Sequence, residues 1–302
     1  MQCVRPVFIR NPELDFDWNY DVDPEGHAID ILTGEVIPPR IPVPCGKCVI
    51  CQENRRNMWA TRLELESRTA PVSYFLTLTY DDFHYPGELS KRDTQLFWKR
   101  LRRKIPCRFF LCGEYGDRFQ RGHYHAVCFP NSYISKEEFE RIAFDAWGNG
   151  FICCRLADRE AFRYVAKYTV KSIRNSPEGK TPPFALMSRR PGISADYLPV
   201  LKNFFHEYIL LENGTRQPLP DYFLSKLDPL EGIRIKESRR NYALKLPPLS
   251  DSQKAVRSLN LERRLIRKYN RKHGTFITQS FPCFPPGGNP ERGELAPGSF
   301  ES

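Results

Sequence analysis

Residues 108–129 read RFFLCGEYGDRFQRGHYHAVCF. Two apolar runs, RFFLCGEYG (108–116) and GHYHAVCF (122–129), flank a short polar loop, which is the pattern of two strands joined as a hairpin. Strand side chains alternate between faces, so His123 and His125 share one face while Tyr124 points to the other. Hairpin geometry also brings Glu114, near the end of the first strand, beside the histidine pair. Two imidazoles and a carboxylate directed at one point are a common way to hold a divalent metal, with ordinary hydrogen-bonded or surface histidines as the competing reading.

The neighbouring segments extend this hairpin into a sheet. YFLTLTY (74–80) is a β-branched and aromatic strand, and Ser90 caps a helix that ends in the basic run KRLRRK (99–104), whose charges suit a helix C-terminus. Beyond the hairpin, Ser135 and Glu138 form a capping box for a helix closed by Gly148-Asn149-Gly150. FICCRL (151–156) is a fourth strand, and Asp158 caps a further helix through Lys171. The order βαββαβ is the split βαβ arrangement, ferredoxin-like or RRM-like: an α+β fold with an antiparallel sheet and helices on one face.

Around this domain, expected over 71–175, the sequence suggests three other regions. Residues 1–70 hold an extended, proline-rich arm, the cysteines of PCGKCVICQ and a helical pattern carrying Trp59, Leu63 and Leu65. Residues 176–280 read as a mostly helical basic region, with helices near 196–212 and 250–272. The Pro-, Gly- and Ser-rich stretch 281–302 reads as a disordered tail.

The helix after the fourth strand adds hydroxyls and charge. In AFRYVAKYTVKSI (161–173), Phe162, Val165, Ala166, Thr169 and Ile173 form an apolar stripe. Tyr164, Tyr168 and Lys171 fall roughly opposite it, with Lys167 beside them. Two tyrosines at i and i+4 reach the same ligand, and lysines compensate phosphodiester charge. A metal beside hydroxyls and lysines points to phosphoryl transfer on nucleic acid, with tyrosine as the attacking group.

Composition agrees with a nucleic-acid partner. The 302 residues carry a net charge of +10 with a pI near 9.1, and the basic residues cluster at 99–104, 188–190, 238–240 and 262–272. No run reads as a signal peptide or spanning helix, so a cytosolic protein with no membrane partner is the expectation. Cys45, Cys48 and Cys51 have metal-ligand spacing, and Cys3 can complete a four-thiolate structural zinc site; free thiols are the alternative. Cys107, Cys112, Cys128, Cys153 and Cys154 read as small buried hydrophobes.

FLTLTY, GEYG, GHYHAV and YVAKYTVK, in that order, resemble the successive motifs of the HUH endonucleases, the rolling-circle replication initiators and relaxases. The doubled tyrosine together with PCGKC most resembles the replication initiators of microviruses, especially the gokushovirus branch. The likeness covers residues 72–175, with weaker matches at Cys45–Cys51 and in MSRRPG (187–192). It implies that His123 and His125 are ligands of Mg²⁺ or Mn²⁺, with Glu114 where such enzymes often place a third, and that Tyr164 and Tyr168 are alternating nucleophiles. It implies a site-specific nickase that forms a 5′-phosphotyrosyl link and later rejoins the ends, aided by Lys167 and Lys171. Its partners would be single-stranded DNA, the viral origin and the host replication helicase and polymerase, in bacterial cytoplasm. Two rivals remain: a non-enzymatic RNA-binding module of the same topology, and a relaxase or transposase with the same chemistry.

Overall fold

The computed structural model describes residues 3–15, 20–31, 34–116, 119–171, 179–202, 208–211, 214–245, 250, 252–253, 255–256 and 259; for 12–13, 168–171, 202 and 240–245 it describes the backbone alone. Two compact units divide the chain, Met1–Pro247 and Pro248–Ser302. All that follows concerns the first. The helix expected over 250–272 and the tail at 281–302 lie, for nearly all their length, outside the described residues.

The N-terminal arm holds β1 (Val7–Arg10), β2 (Tyr20–Val22), β3 (Ala28–Asp30) and β4 (Arg40–Val43). It is extended as expected but not solitary, because β1 pairs with β4 and β2 with β3, both antiparallel. There follow α1 (Val49–Thr69), β5 (Tyr74–Tyr80), α2 (Lys91–Lys104), β6 (Cys107–Tyr115), β7 (Gly122–Pro130), α3 (Lys136–Trp147), β8 (Gly150–Leu156), α4 (Arg159–Lys171) and β9 (Phe184–Met187). The chain continues through α5 (Leu198–Lys202), β10 (Tyr208–Leu210), β11 (Arg216–Pro218), α6 (Asp221–Leu224) and α7 (Pro229–Lys245).

The expected βαββαβ unit is present, with β5, β7, β6 and β8 in one antiparallel sheet of order β8-β5-β7-β6-β9. Its ends are set by local chemistry. Ser90 Oγ accepts from Asp93 N (3.1 Å), Ser135 Oγ from Glu138 N (3.3 Å) and Asp158 Oδ1 from Ala161 N (2.7 Å), so each crossover helix starts where its cap stands. Gly148 closes α3 at φ 62°, a left-handed backbone that glycine takes without a Cβ penalty.

The alternation of each strand separates two cores. On one face Leu76, Leu78, Tyr124 and Leu111 meet Phe97 and Trp98 of α2 and Phe139 and Trp147 of α3. Trp98 stacks on Phe109 at 3.8 Å between centroids, and the Trp147 indole donates to the Thr79 carbonyl at 3.0 Å. The two crossover helices thus share one face, as the topology demands. The other face is covered as well, by α1 and α4, which lie outside the βαββαβ unit. Leu63, Ala161, Phe162 and Val165 pack there on Phe75, Phe110, Val127 and Phe129. Because both faces of β6 and β7 are buried, these strands read as nearly continuous apolar runs.

α1 also anchors the segment after β9. Buried Glu66 pairs with Arg108 and accepts from Ser194 N, while Arg62 donates to the Ile193 carbonyl at 2.8 Å. A buried carboxylate with these donors is satisfied rather than stranded. Further on, the helix expected near 196–212 is corrected. A 3₁₀ turn and α5 occupy only its first half, and Tyr208–Leu210 is a strand hairpinned to β11 around Gly214 at φ 74°. A short strand with one turn glycine carries too few residues for its period of two to show.

Candidate active site

Cross-strand register places the site residues in rows. Glu114 pairs with His123, His123 with Thr79, and Thr79 with Phe151; two residues along, Cys112, His125, Thr77 and Cys153 form the next row on the same face. The residues between them turn to the opposite core. Tyr124, fully buried, bonds Tyr80 (2.9 Å) and accepts from Ser90 N (2.7 Å), which ties β7 to the start of α2. Gly113 leaves room for its ring, since a Cβ there would stand 3.1 Å from it. Burial pushes the phenol of Tyr124 up to about 12 and that of Tyr80 higher still. Both stay protonated, on the face away from the histidines.

The three expected ligands converge. Glu114 Oε1 lies 3.3 Å from His123 Nε2 and 3.2 Å from His125 Nε2. His125 is almost fully buried and stacks on Phe75 at 5.6 Å. His123 Nδ1 sits 3.2 Å from the Arg121 carbonyl, which can only accept, so this nitrogen carries the proton and Nε2 offers its lone pair toward Glu114. Thr77 Oγ1 holds His125 Nδ1 at 3.1 Å. Such outer partners orient metal-bound imidazoles. Adjacent ligands of an octahedral ion with ~2.1 Å bonds stand about 3 Å apart, so the donor set and spacing fit a small divalent cation.

Tyr164 completes the cluster from α4. Its hydroxyl donates to Glu114 Oε1 at 3.1 Å and lies 3.3 Å from His125 Nε2, and its ring meets His125 edge-on at 4.9 Å. The stripe read from the sequence explains the placement: Phe162, Val165 and Ala166 are buried beneath the helix, and Tyr164 is half-buried at the edge of that packing. Lys167 lies one turn's reach along the same helix, half-buried. Tyr168 and Lys171 fall on α4, but their side chains lie outside the described residues. Thr77 and Arg121 were not singled out from the sequence. Strand alternation puts Thr77 on the histidine face only once the β5–β7 register is known.

A second cluster joins the arm to α1. Cys3 Sγ lies 3.6 Å from Cys45 Sγ and 3.7 Å from Cys48 Sγ, and Cys45 Sγ lies 4.0 Å from Cys51 Sγ. These separations exclude disulfides, whose sulfurs bond at about 2.05 Å. Amide groups point at the sulfurs, Cys48 N to Cys45 at 3.3 Å, Cys51 N to Cys48 at 3.5 Å and Cys45 N to Cys3 at 3.4 Å. Burial opposes ionisation of Cys45, but the amides of Cys48 and Lys47 outweigh it and bring the thiol to about 7. Of the remaining cysteines expected to be buried, Cys107, Cys112, Cys128 and Cys154 are; Cys153 is exposed, because it lies on the edge strand β8.

Residues 73–173 match the model of a family of replication-associated proteins, described by its ORF2 member. The chain is 30% identical over 209 residues to Replication-associated protein VP4 of Bdellovibrio phage phiMH2K and 27% identical over 217 residues to Replication-associated protein ORF4 of Chlamydia phage 1. It is similar to phage replication-associated proteins. The resemblance read from the ordered motifs is thereby borne out. The alignments cover 60% and 63% of this chain, and the chain spans 65% and 54% of the length of these replication-associated proteins. The hypothetical protein ORF119 from Sulfolobus islandicus rod-shaped virus 1 aligns with 39% of this chain and 97% of its own at 16% identity, but its TM-score of 0.27 is too low to bear on fold or function. Among the described residues, no helix is long and apolar enough to cross a membrane.

Proposed function

We propose that the protein initiates rolling-circle replication of a circular DNA by nicking one strand with a tyrosine. The observation that carries this reading is the Tyr164 hydroxyl, held within 3.3 Å of both Glu114 and His125. A divalent cation bound by Glu114, His123 and His125 supplies Lewis-acid polarisation of the scissile phosphate.

The chain's own groups do the rest. Tyr164 Oη forms a bond to phosphorus, its proton passing to Glu114 Oε1, with which it already shares a hydrogen bond. The bond from phosphorus to the 3′ oxygen breaks, and that oxygen takes up a proton. The products are a 5′-phosphotyrosyl link and a free 3′ hydroxyl able to prime synthesis. The ester keeps the phosphodiester activated, so rejoining needs no nucleotide cofactor. Tyr168, one turn along α4, is the second nucleophile for the following cycle, and Lys167 and Lys171 offset phosphate charge.

The test is incubation of end-labelled single-stranded DNA with Mn²⁺ or Mg²⁺, resolved on a denaturing gel. A covalent band that needs the metal and disappears in the Tyr164→Phe, Tyr168→Phe double variant supports the reading. Tight nucleic-acid binding without any covalent band favours the RNA-binding alternative.

The four cysteines are proposed to hold a structural Zn²⁺. A tetrahedral ion with Zn–S bonds of ~2.3 Å sets its sulfurs about 3.8 Å apart, and the observed separations are 3.6, 3.7 and 4.0 Å. Cys48 also caps α1, its Sγ accepting from Cys51 N, so the ion would tie the arm to the helix that packs on α4. Elemental analysis of the purified protein showing no zinc removes this assignment.

A further inference from the structure

The row that carries Glu114 and His123 continues across the sheet through Thr79 to Phe151 on the edge strand β8. Cross-strand partners point to the same face, so the Phe151 ring stands on the face that carries the ligand triad. Strands are ~4.8 Å apart, which places Phe151, two strands over, about 10 Å from His123.

The two ends of this row differ sharply in cover. α4 packs on β6, β7 and β9, and α1 packs on α4. Over β8 the face is open: Phe151 is 64% exposed, and Cys153 and Arg155, the next residues of that strand on the same face, are exposed too. An aromatic ring left in water beside a buried triad has no packing role in the fold. Thr79 separates it from His123 with a half-exposed hydroxyl that donates to the Phe151 carbonyl at 3.4 Å.

Charge lies at the far end of the same strip. Arg155 stands four residues along β8 from Phe151, about 13 Å at ~3.3 Å per residue. Its guanidinium sits over the Phe75 ring at 4.6 Å and reaches Asp158 at 3.2 Å, with the side chain 47% exposed. On α4 beside it, Arg163 is exposed. An aromatic platform with cations along a strand, leading to a candidate phosphodiester site, is the chemistry of a single-stranded nucleic-acid path.

We propose that the substrate single strand lies along the open β8 margin of the sheet, with a base flanking the scissile phosphate stacked on Phe151 and the backbone passing Arg155. This rests on the nickase reading, since it is the triad that fixes where the scissile phosphate sits. Stacking is indifferent to base identity, so Phe151 supplies affinity and register rather than sequence choice.

The experiment measures fluorescence anisotropy of a labelled oligothymidylate with the full-length protein, in buffer without added divalent metal, alongside the covalent-adduct assay. Phe151→Ala is expected to weaken binding by roughly fivefold to a hundredfold, the span of one base–aromatic stack. Phe151→Trp is expected to bind at least as tightly as wild type. Arg155→Gln should flatten the slope of log K against log [salt] by about 0.7, one phosphate contact on a single strand. Unfolding curves superimposable on wild type exclude misfolding for each variant, as suits exposed side chains. If Phe151→Ala binds like wild type while wild type still forms the adduct, the path is wrong and the nickase reading stands. If wild type neither binds the oligonucleotide nor forms an adduct with it, both fall.

Discussion

The hydroxyl of Tyr164 stands 3.1 Å from Oε1 of Glu114, joining a helix to a hairpin fifty residues away in sequence. The contact exists because Phe162 and Val165 bury the neighbouring face of α4 against the sheet, leaving Tyr164 at the rim where the histidine row begins. Packing therefore fixes the position of the hydroxyl.

Truncating that packing should loosen the site before it unfolds the domain. Phe162→Ala removes a nearly buried ring between α4 and the sheet and is expected to cost about 3–5 kcal/mol of stability. Thermal and denaturant unfolding would register it. A loss within about ±0.5 kcal/mol, as at an exposed site, would contradict the packing described.

Thr77 tests the metal through its outer partner. Thr77→Val keeps the shape of the strand but removes the group that holds His125 Nδ1 at 3.1 Å. Affinity for Mn²⁺, read from the metal dependence of adduct formation, should fall about 10- to 100-fold with little change in stability. An unchanged metal requirement would show that His125 is not a ligand.

Tyr124 gives a prediction of opposite character. Tyr124→Phe strands the amide of Ser90 and the hydroxyl of Tyr80 and should destabilise the protein by about 1–3 kcal/mol, while adduct formation by the folded fraction persists.

The same phenol makes stability depend on pH at the alkaline end. Its pKa is raised from 10.0 to about 12 by burial, so the folded state holds its proton more tightly than the unfolded chain. That stabilisation is fully present below pH 10 and is lost as pH rises from 10 through about 12. A denaturation series over this range should fall less steeply for Tyr124→Phe than for wild type.

Much of this was legible in the residues. The strand 74–80 was read with its observed bounds, the hairpin and the three caps stand where Ser90, Ser135 and Asp158 placed them, and Glu114, His123 and His125 meet as alternation required. The periods of two and 3.6 were carried by long, uninterrupted segments there. What escaped was non-local. The edge strand β9 and the β10–β11 hairpin are too short to show a period. α7 begins with Pro229 after Asp228, whose Oδ1 accepts from Leu230 N at 3.0 Å, a start signal masked by a charged sequence without an apolar stripe. Cover of the second sheet face by α1 could not be foreseen either, since α1 carries Glu64 and Glu66 into the interior and only their arginine partners make that tolerable.

The most direct measurement is peptide mapping by mass spectrometry of the protein after reaction with single-stranded DNA and Mn²⁺ and digestion of the DNA. The account predicts a nucleotide phosphate attached to Tyr164 or Tyr168 in the peptide from α4. An adduct on any other residue, or none under conditions where the DNA is bound, would contradict it.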